Sequence, residues 1–236
     1  MALVGVLCDD MAAYGDPFSF DQCIACSLAG QPRRCHAPTP LLVAMAEAQR
    51  DRKDAGVSAT MILDCPRKIA LQGQHDWYEH PASYWERFRG TLAHAMLEQY
   101  APPSDAAIVE VRWRKTYTVD GVDIAITGKP DYIDTERGLL LDYKTTQNLG
   151  HAPVKHGKPK EMHEEQINIY ADLCDGGARL DTGEIEAIQI KVERLRPLAE
   201  FYATSTLPPI LVDDKGQRSW KCAHKWCALR EVCDRA

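Results

Sequence analysis

Asp131, Asp142 and Lys144 stand together in one short stretch, ITGKPDYIDTERGLLLDYKTT, running from Ile126 to Thr146. Two apolar-rich segments flank Thr-Glu-Arg-Gly, so the stretch reads as a hairpin. With its turn centred between Glu136 and Arg137, Asp131 lies as far before the centre as Asp142 lies after it. Antiparallel pairing in that register sets the two aspartates opposite each other, with β-carbons roughly 4.5–5.5 Å apart. Lys144, two residues beyond Asp142, points to the same face. Carboxylates that close repel unless positive charge lies between them. A divalent cation and the lysine would supply it. Hard cations such as magnesium take one or two carboxylates together with water and phosphate oxygens, which suits phosphoryl chemistry. A solvated face with an incidental ion pair is the plainer reading of Asp-x-Lys by itself.

Two helical pairs accompany this hairpin. Gly90 and His94, in RGTLAH, are four residues apart and share a helix face, where glycine allows close backbone approach. Gln166 and Tyr170, in QINIY, are spaced the same way. Taken singly, such a histidine reads as an ordinary surface or core residue, and the Gln/Tyr pair as a polar stripe.

Taken in order, Gly-x-x-x-His, Gly-x-x-Asp, Asp-Tyr-Lys and Gln-x-x-x-Tyr resemble the PD-(D/E)xK nuclease superfamily, and within it the RecB-like branch, from about residue 58 onward. Pro130 supplies the proline before the first aspartate. The resemblance implies a divalent metal, magnesium or manganese, bound by His94, Asp131 and Asp142 with the Tyr143 carbonyl. It implies that Lys144 orients or activates the attacking water, and that Gln166 and Tyr170 contact DNA or position the site. The chemistry is coherent. A bound metal lowers the pKa of its water and polarises the phosphoryl oxygen, and the lysine meets charge developing in the transition state.

Nine cysteines fall at 8, 23, 26, 35, 65, 174, 222, 227 and 233. Such clusters in a cytosolic chain point to metal rather than disulfides. Cys65 before the nuclease-like region and Cys222, Cys227 and Cys233 after it resemble the iron–sulfur subset of the family, which includes AddB-type helicase–nuclease subunits and CRISPR adaptation exonucleases. There, four thiolates hold a 4Fe–4S cluster that clasps the two ends of the domain. The tail spacing is C-x4-C-x5-C where the family has C-x2-C-x5-C, so either Cys222 is the ligand or His224 replaces it. Thiolate suits iron–sulfur better and favours Cys222. Zinc is the alternative occupant. Outside that resemblance, Cys23, Cys26 and Cys35 have zinc-knuckle spacing, with Cys8 or His36 as the fourth ligand. Cys174 reads as a buried thiol.

The elements that must position these residues follow from periodicity. Residues 1 to about 40 read as an irregular, metal-stapled module. A helix follows Pro40 toward Gly56, and Ser58 reads as the N-cap of a short helix. ASYWERFRGTLAHAMLEQY, residues 82–100, reads as an amphipathic helix with Trp85, Phe88, Leu92 and Met96 on its apolar stripe. IVEVRWRKTYTV and VDIAITG form a hairpin over Asp120-Gly121. Residues 160–174 form a helix, EIEAIQIKVERL forms a strand, and the loop carrying Lys155, Lys158 and Lys160 offers contacts to a phosphate backbone.

The expected architecture is α/β: a restriction-endonuclease-like core with a mixed central sheet flanked by helices, plus the small N-terminal module. The expected division is a zinc-binding module with its linking helix over 1–57 and a nuclease domain over 58–236. The chain is 45% hydrophobic and 26% charged, has a formal charge of −6, and contains no run long and apolar enough for a membrane span. Its start lacks the basic segment of a signal peptide, so a cytoplasmic protein is expected. The implied function is metal-dependent hydrolysis of DNA, as a single-strand exonuclease in recombination, repair or CRISPR adaptation. The rival reading is a non-catalytic DNA-binding or assembly subunit of a helicase or integrase complex.

Overall fold

The computed structural model describes residues 3–8, 16–29, 37–47, 56–100, 105–144, 161–174, 192–219, 222, 227 and 229–235. Among these the strands are β1 (Leu3–Leu7), β2 (Pro17–Ser19), β3 (Val57–Ser58), β4 (Trp77–Glu79), β5 (Ala107–Val109), β6 (Trp113–Val119), β7 (Val122–Gly128), β8 (Tyr132–Asp134) and β9 (Leu139–Leu141). The helices are α1 (Phe20–Leu28), α2 (Thr39–Glu47), α3 (Ala59–Ile62), α4 (Pro66–Gln74), α5 (Pro81–Gln99), α6 (Glu161–Cys174), α7 (Val192–Thr204) and α8 (Arg230–Arg235). The class is α/β, with small mixed and antiparallel sheets flanked by helices. No helix among the described residues is long and apolar enough to cross a membrane.

Two compact units arise from interleaved segments. The first takes Met1–Asp54, Arg67–Phe88 and Leu207–Ala236; the second takes Ala55–Pro66 and Arg89–Thr206. The 1–57 and 58–236 division is therefore corrected. Residues 67–88 and 207–236 pack with the N-terminal segment because β4 is the parallel partner of β1 and Leu229 shares an apolar cluster with Leu71 and Trp77.

In the first unit the sheet order is β2-β1-β4. Gly5 lies opposite Ser19, and a β-carbon there would strike the Phe18 carbonyl, so the close approach requires glycine. Ser19 then caps α1: its Oγ accepts from the Gln22 N–H at 3.2 Å while Gln22 Oε1 accepts from the Ser19 N–H at 2.9 Å. Val6, Phe20, Leu42 and Met45 form the apolar cluster beneath. The expectation of an irregular N-terminus fails for these residues, because the short apolar, β-branched run LVGVL and the capping box are ordinary strand and helix signals.

In the second unit Ser58 caps α3 as expected, accepting from the Met61 N–H. The Asp120-Gly121 turn has positive φ at both residues, 51° and 81°, the conformation that closes a two-residue hairpin. It joins β6 to β7 in register Val119↔Val122. The expected long strand IVEVRWRKTYTV is broken. Its first part, β5, pairs with β8, and β6 pairs with β7. The break falls at Glu110, whose φ of 54° is incompatible with a continuing strand. The segment expected as a strand toward Leu195 is helical from Val192 onward; its earlier residues lie outside the described ones.

α5 has the predicted extent, but its apolar stripe is not buried: Trp85, Leu92 and Met96 are 42%, 48% and 61% exposed. Periodicity shows which helix face is apolar, not whether anything covers it.

Candidate metal centre

The second hairpin joins β8 to β9 in the ladder Tyr132↔Leu141, Ile133↔Leu140 and Asp134↔Leu139, and Asp131 and Asp142 are the residues that lie immediately beyond its open end on either strand. The turn is held by Asp134, whose Oδ1 accepts from the N–H groups of Glu136 and Arg137 at 3.1 and 2.9 Å, and by Gly138 with φ 63°. Turn chemistry and register thus agree, which fixes the face on which both carboxylates stand.

Asp131 is the hub. Its side chain is 5% exposed. Oδ1 lies 2.8 Å from His94 Nδ1, and Oδ2 accepts from the Tyr143 N–H. His94 Nε2 donates to the Tyr143 carbonyl at 3.0 Å. Asp142 pairs with Lys144. His94, Asp131 and the Tyr143 peptide come together through these contacts, whereas Asp142, paired with Lys144, lies outside the His94, Glu110 and Asp131 group whose ligand atoms stand within 4.8 Å of one another.

Gln166 and Tyr170 also come to this region. Gln166 Nε2 donates to the Tyr170 hydroxyl at 2.7 Å. Burial pushes the Tyr170 phenol up to about 12, and the charges of Asp142 and Asp131 add to the rise. α6 is anchored to the sheet at Asp172, which accepts from the Lys115 ammonium at 2.8 Å and from the Tyr117 hydroxyl. Gly128 lets it come close: a β-carbon there would lie 2.6 Å from Leu173 Cδ1 and 2.8 Å from Tyr170 Cδ1. The glycine of Gly-x-x-Asp is a packing device for the helix that carries Tyr170.

One member of the centre was not expected. Glu110, at the break between β5 and β6, has its side chain 7% exposed and its Oε1 3.9 Å from His94 Nδ1. Among the described residues, His94, Glu110 and Asp131 form the single group of three or more His, Cys, Asp or Glu whose ligand atoms lie within 4.8 Å of one another. In sequence Glu110 alternates with Arg112 and Arg114 and reads as the solvent side of a strand. Its one signal is an acid between Val109 and Val111.

The donor set of nitrogen, carboxylate and carbonyl suits a divalent cation of the magnesium or manganese kind. Glu110 Oε2 is buried and already faces a cationic group, the Lys129 ammonium.

Burial pushes the Asp142 carboxyl above the usual carboxylate range; Lys144 pulls it back and Asp131 adds to the rise. A carboxyl that holds its proton more tightly folded than unfolded costs stability as pH rises from its unfolded value, near 4, to its raised folded value. The metal-free protein is therefore expected to gain stability on acidification through that window. Asp142→Asn should remove that part of the slope and be the more stable form at neutral pH. Urea midpoints of both proteins in chelator, followed from about pH 7 down to about pH 4, check this; parallel profiles would mean that Asp142 is not desolvated.

The cysteines divide between the units. Cys65 is buried in the second, its N–H donating to Asp64 Oδ1 at 2.9 Å. Cys222, Cys227 and Cys233 belong to the first. Cys233 Sγ accepts from Arg67 Nε at 3.2 Å and lies 3.8 Å from Arg218 Nη2. Cys222 is buried and Cys227 half-buried beside the Leu71 cluster. At the N-terminus Cys23 and Cys26 are three apart on α1, Cys23 against the Val6 cluster and Cys26 exposed. The Cys8 N–H donates to the Asp16 carbonyl. Cys35, His36, His224 and the basic loop of Lys155, Lys158 and Lys160 lie outside the described residues. Cys174 is fully buried, as expected, and burial pushes its thiol up to about 11.

No family model matches the chain, and no curated protein matches it. Among solved structures, one titled "Crystal structure of SSO0001" is similar over 53% of this chain and 59% of its own, with a TM-score of 0.42 and 20% identity. The chain thus spans about three fifths of that protein's length. So distant a likeness carries no argument about function.

Proposed function

We propose that the chain is a RecB-like, metal-dependent deoxyribonuclease with a restriction-endonuclease-like core, acting on single-stranded DNA ends in recombination, repair or CRISPR adaptation. The observation that carries this reading is the convergence of His94, Asp131, Asp142, the Tyr143 carbonyl and Lys144 on one short hairpin and the helix beside it. His94, Asp131, Asp142 and the Tyr143 carbonyl would hold magnesium or manganese, which when bound supplies an acidified water and a polarised phosphoryl oxygen. The residues do the rest. Asp131 orients the His94 ring through Nδ1 and fixes the Tyr143 peptide through its N–H, so the carbonyl stays aimed at the ring. Lys144, 36% exposed at its side chain, reaches solvent from its Asp142 pair and can meet phosphate charge. Tyr170, whose phenol burial raises still further above neutrality, carries its proton at neutral pH.

The reading also includes a 4Fe–4S cluster on Cys65, Cys222, Cys227 and Cys233, which rests on the resemblance of their placement along the chain. It includes zinc on Cys23, Cys26 and Cys35 with Cys8 or His36, and a cytoplasmic setting. The rival, a DNA-holding or assembly subunit, has no specific observation in its favour.

The deciding experiment is incubation of anaerobically purified protein with end-labelled single-stranded DNA and manganese or magnesium, beside Lys144→Ala. Trimming that needs the metal and falls by at least about 100-fold in the variant is expected, the scale of a lost transition-state donor. No trimming by folded, metal-loaded protein would turn the reading to the assembly role.

A further inference from the structure

We propose that Glu110 is a further ligand of the cation held at His94 and Asp131, and that Lys129 is the counter-charge with which that cation competes. The proposal rests on the metal-centre reading above and names a ligand and a competitor that the hairpin motif does not contain. Four observations place Glu110. Its carboxylate lines one small cavity together with His94, Glu98, Asp131, Tyr132 and Tyr143. Its side chain is 7% exposed and its Oε1 stands 3.9 Å from His94 Nδ1. Its Oε2 is buried and faces the Lys129 ammonium. Its backbone is tied to the hub, the Glu110 N–H donating to the Asp131 carbonyl at 3.3 Å.

Lys129 is well placed to leave. Its side chain is 44% exposed while that of Glu110 is 7% exposed. An ammonium on a flexible stem neutralises the buried acid at little ordering cost and can return to water. A carboxylate buried without counter-charge is costly, so either the ammonium or a cation must face Glu110. Two acid–lysine pairs, Glu110–Lys129 and Asp142–Lys144, thus accompany the site.

The test is Mn2+ affinity of the full chain by calorimetry in the absence of DNA, for wild type, Glu110→Gln, Lys129→Met and the double variant. Glu110→Gln is expected to weaken Mn2+ binding by at least about tenfold. Lys129→Met should tighten it by a few-fold, because it removes the competing charge. The double variant should bind no more tightly than Glu110→Gln, and it keeps the test readable if the buried Glu110 carboxylate, left without its counter-charge, impairs folding of Lys129→Met. Unchanged affinity in Glu110→Gln, or in the double variant, would overturn the ligand assignment. Weaker or unchanged binding in Lys129→Met would overturn the competition. Tight, Glu110-dependent Mn2+ binding in a protein that never cleaves DNA would sink the nuclease reading and leave this one standing.

Discussion

Asp131→Ala is expected to abolish Mn2+ binding and metal-dependent cleavage together, with a smaller loss of stability. The aspartate has three tasks in one side chain. It would supply a ligand oxygen, it sets the His94 ring through Nδ1 at 2.8 Å, and it accepts the Tyr143 N–H. Removing it disorganises two other ligands as well as deleting its own, so the loss in cleavage should exceed the roughly 100-fold of a single donor. Stability should fall by about 1–3 kcal/mol, the cost of leaving a buried N–H unpaired. Relief of the repulsion from Asp142 offsets part of that. Asp131→Asn separates the effects: its carbonyl can still accept from Tyr143, so it should fold almost as well as wild type and bind Mn2+ no better than the alanine variant. The comparison needs only a cleavage assay, Mn2+ calorimetry and denaturant midpoints. Cleavage by Asp131→Ala within a few-fold of wild type would remove the hub from the mechanism.

Arg67→Met should be the most destabilising single change away from the metal centre. Arg67 is 8% exposed on α4, and its fork donates to the Pro208 carbonyl at 2.9 Å, to Cys233 Sγ at 3.2 Å and to the Cys233 carbonyl at 3.5 Å. It ties the C-terminal segment to a helix laid down far earlier in the chain. Methionine fills similar space but leaves buried acceptors unpaired, a cost of about 2–4 kcal/mol. For a chain of this size that corresponds to a fall of roughly 5–15 °C in the thermal midpoint. Arg67→Lys should recover little, because one ammonium cannot reach three separated acceptors as a planar fork does. A midpoint within about 1 °C of wild type for Arg67→Met would show that these contacts are dispensable.

The hairpin of the candidate metal centre was legible because its information is local. Thr-Glu-Arg-Gly fixes the centre of the turn, the spacing of Asp131 and Asp142 about that centre fixes the register, and the Tyr132↔Leu141 ladder agrees. The Asp120-Gly121 turn, the Ser58 cap and α6 were legible for the same reason. Glu110 was not. IVEVRWRK alternates as an unbroken strand would, and the break is made by a non-glycine residue at φ 54°, which composition does not announce. The exposed stripe on α5 was misread because burial depends on neighbours that a period cannot name. The two-unit division was hidden for a related reason. The parallel pairing of Leu3 with Trp77 joins distant segments and leaves no signature in either.

The interleaving of the two units has a consequence for the order in which the chain can assemble. Every residue of the second unit, through Thr206, has been synthesised before Leu207 emerges, whereas the first unit lacks the segment bearing Leu229, Cys227 and Cys233 until the end. During translation the segment around Trp77 must wait with part of its apolar surface uncovered, and closing it later requires bridging well over a hundred residues. Such late, long-range closure is the slow and aggregation-prone step of folding. A nascent chain would therefore complete the residues of the metal centre first, and its vulnerability to chaperone demand or proteolysis would concentrate in the N-terminal sheet.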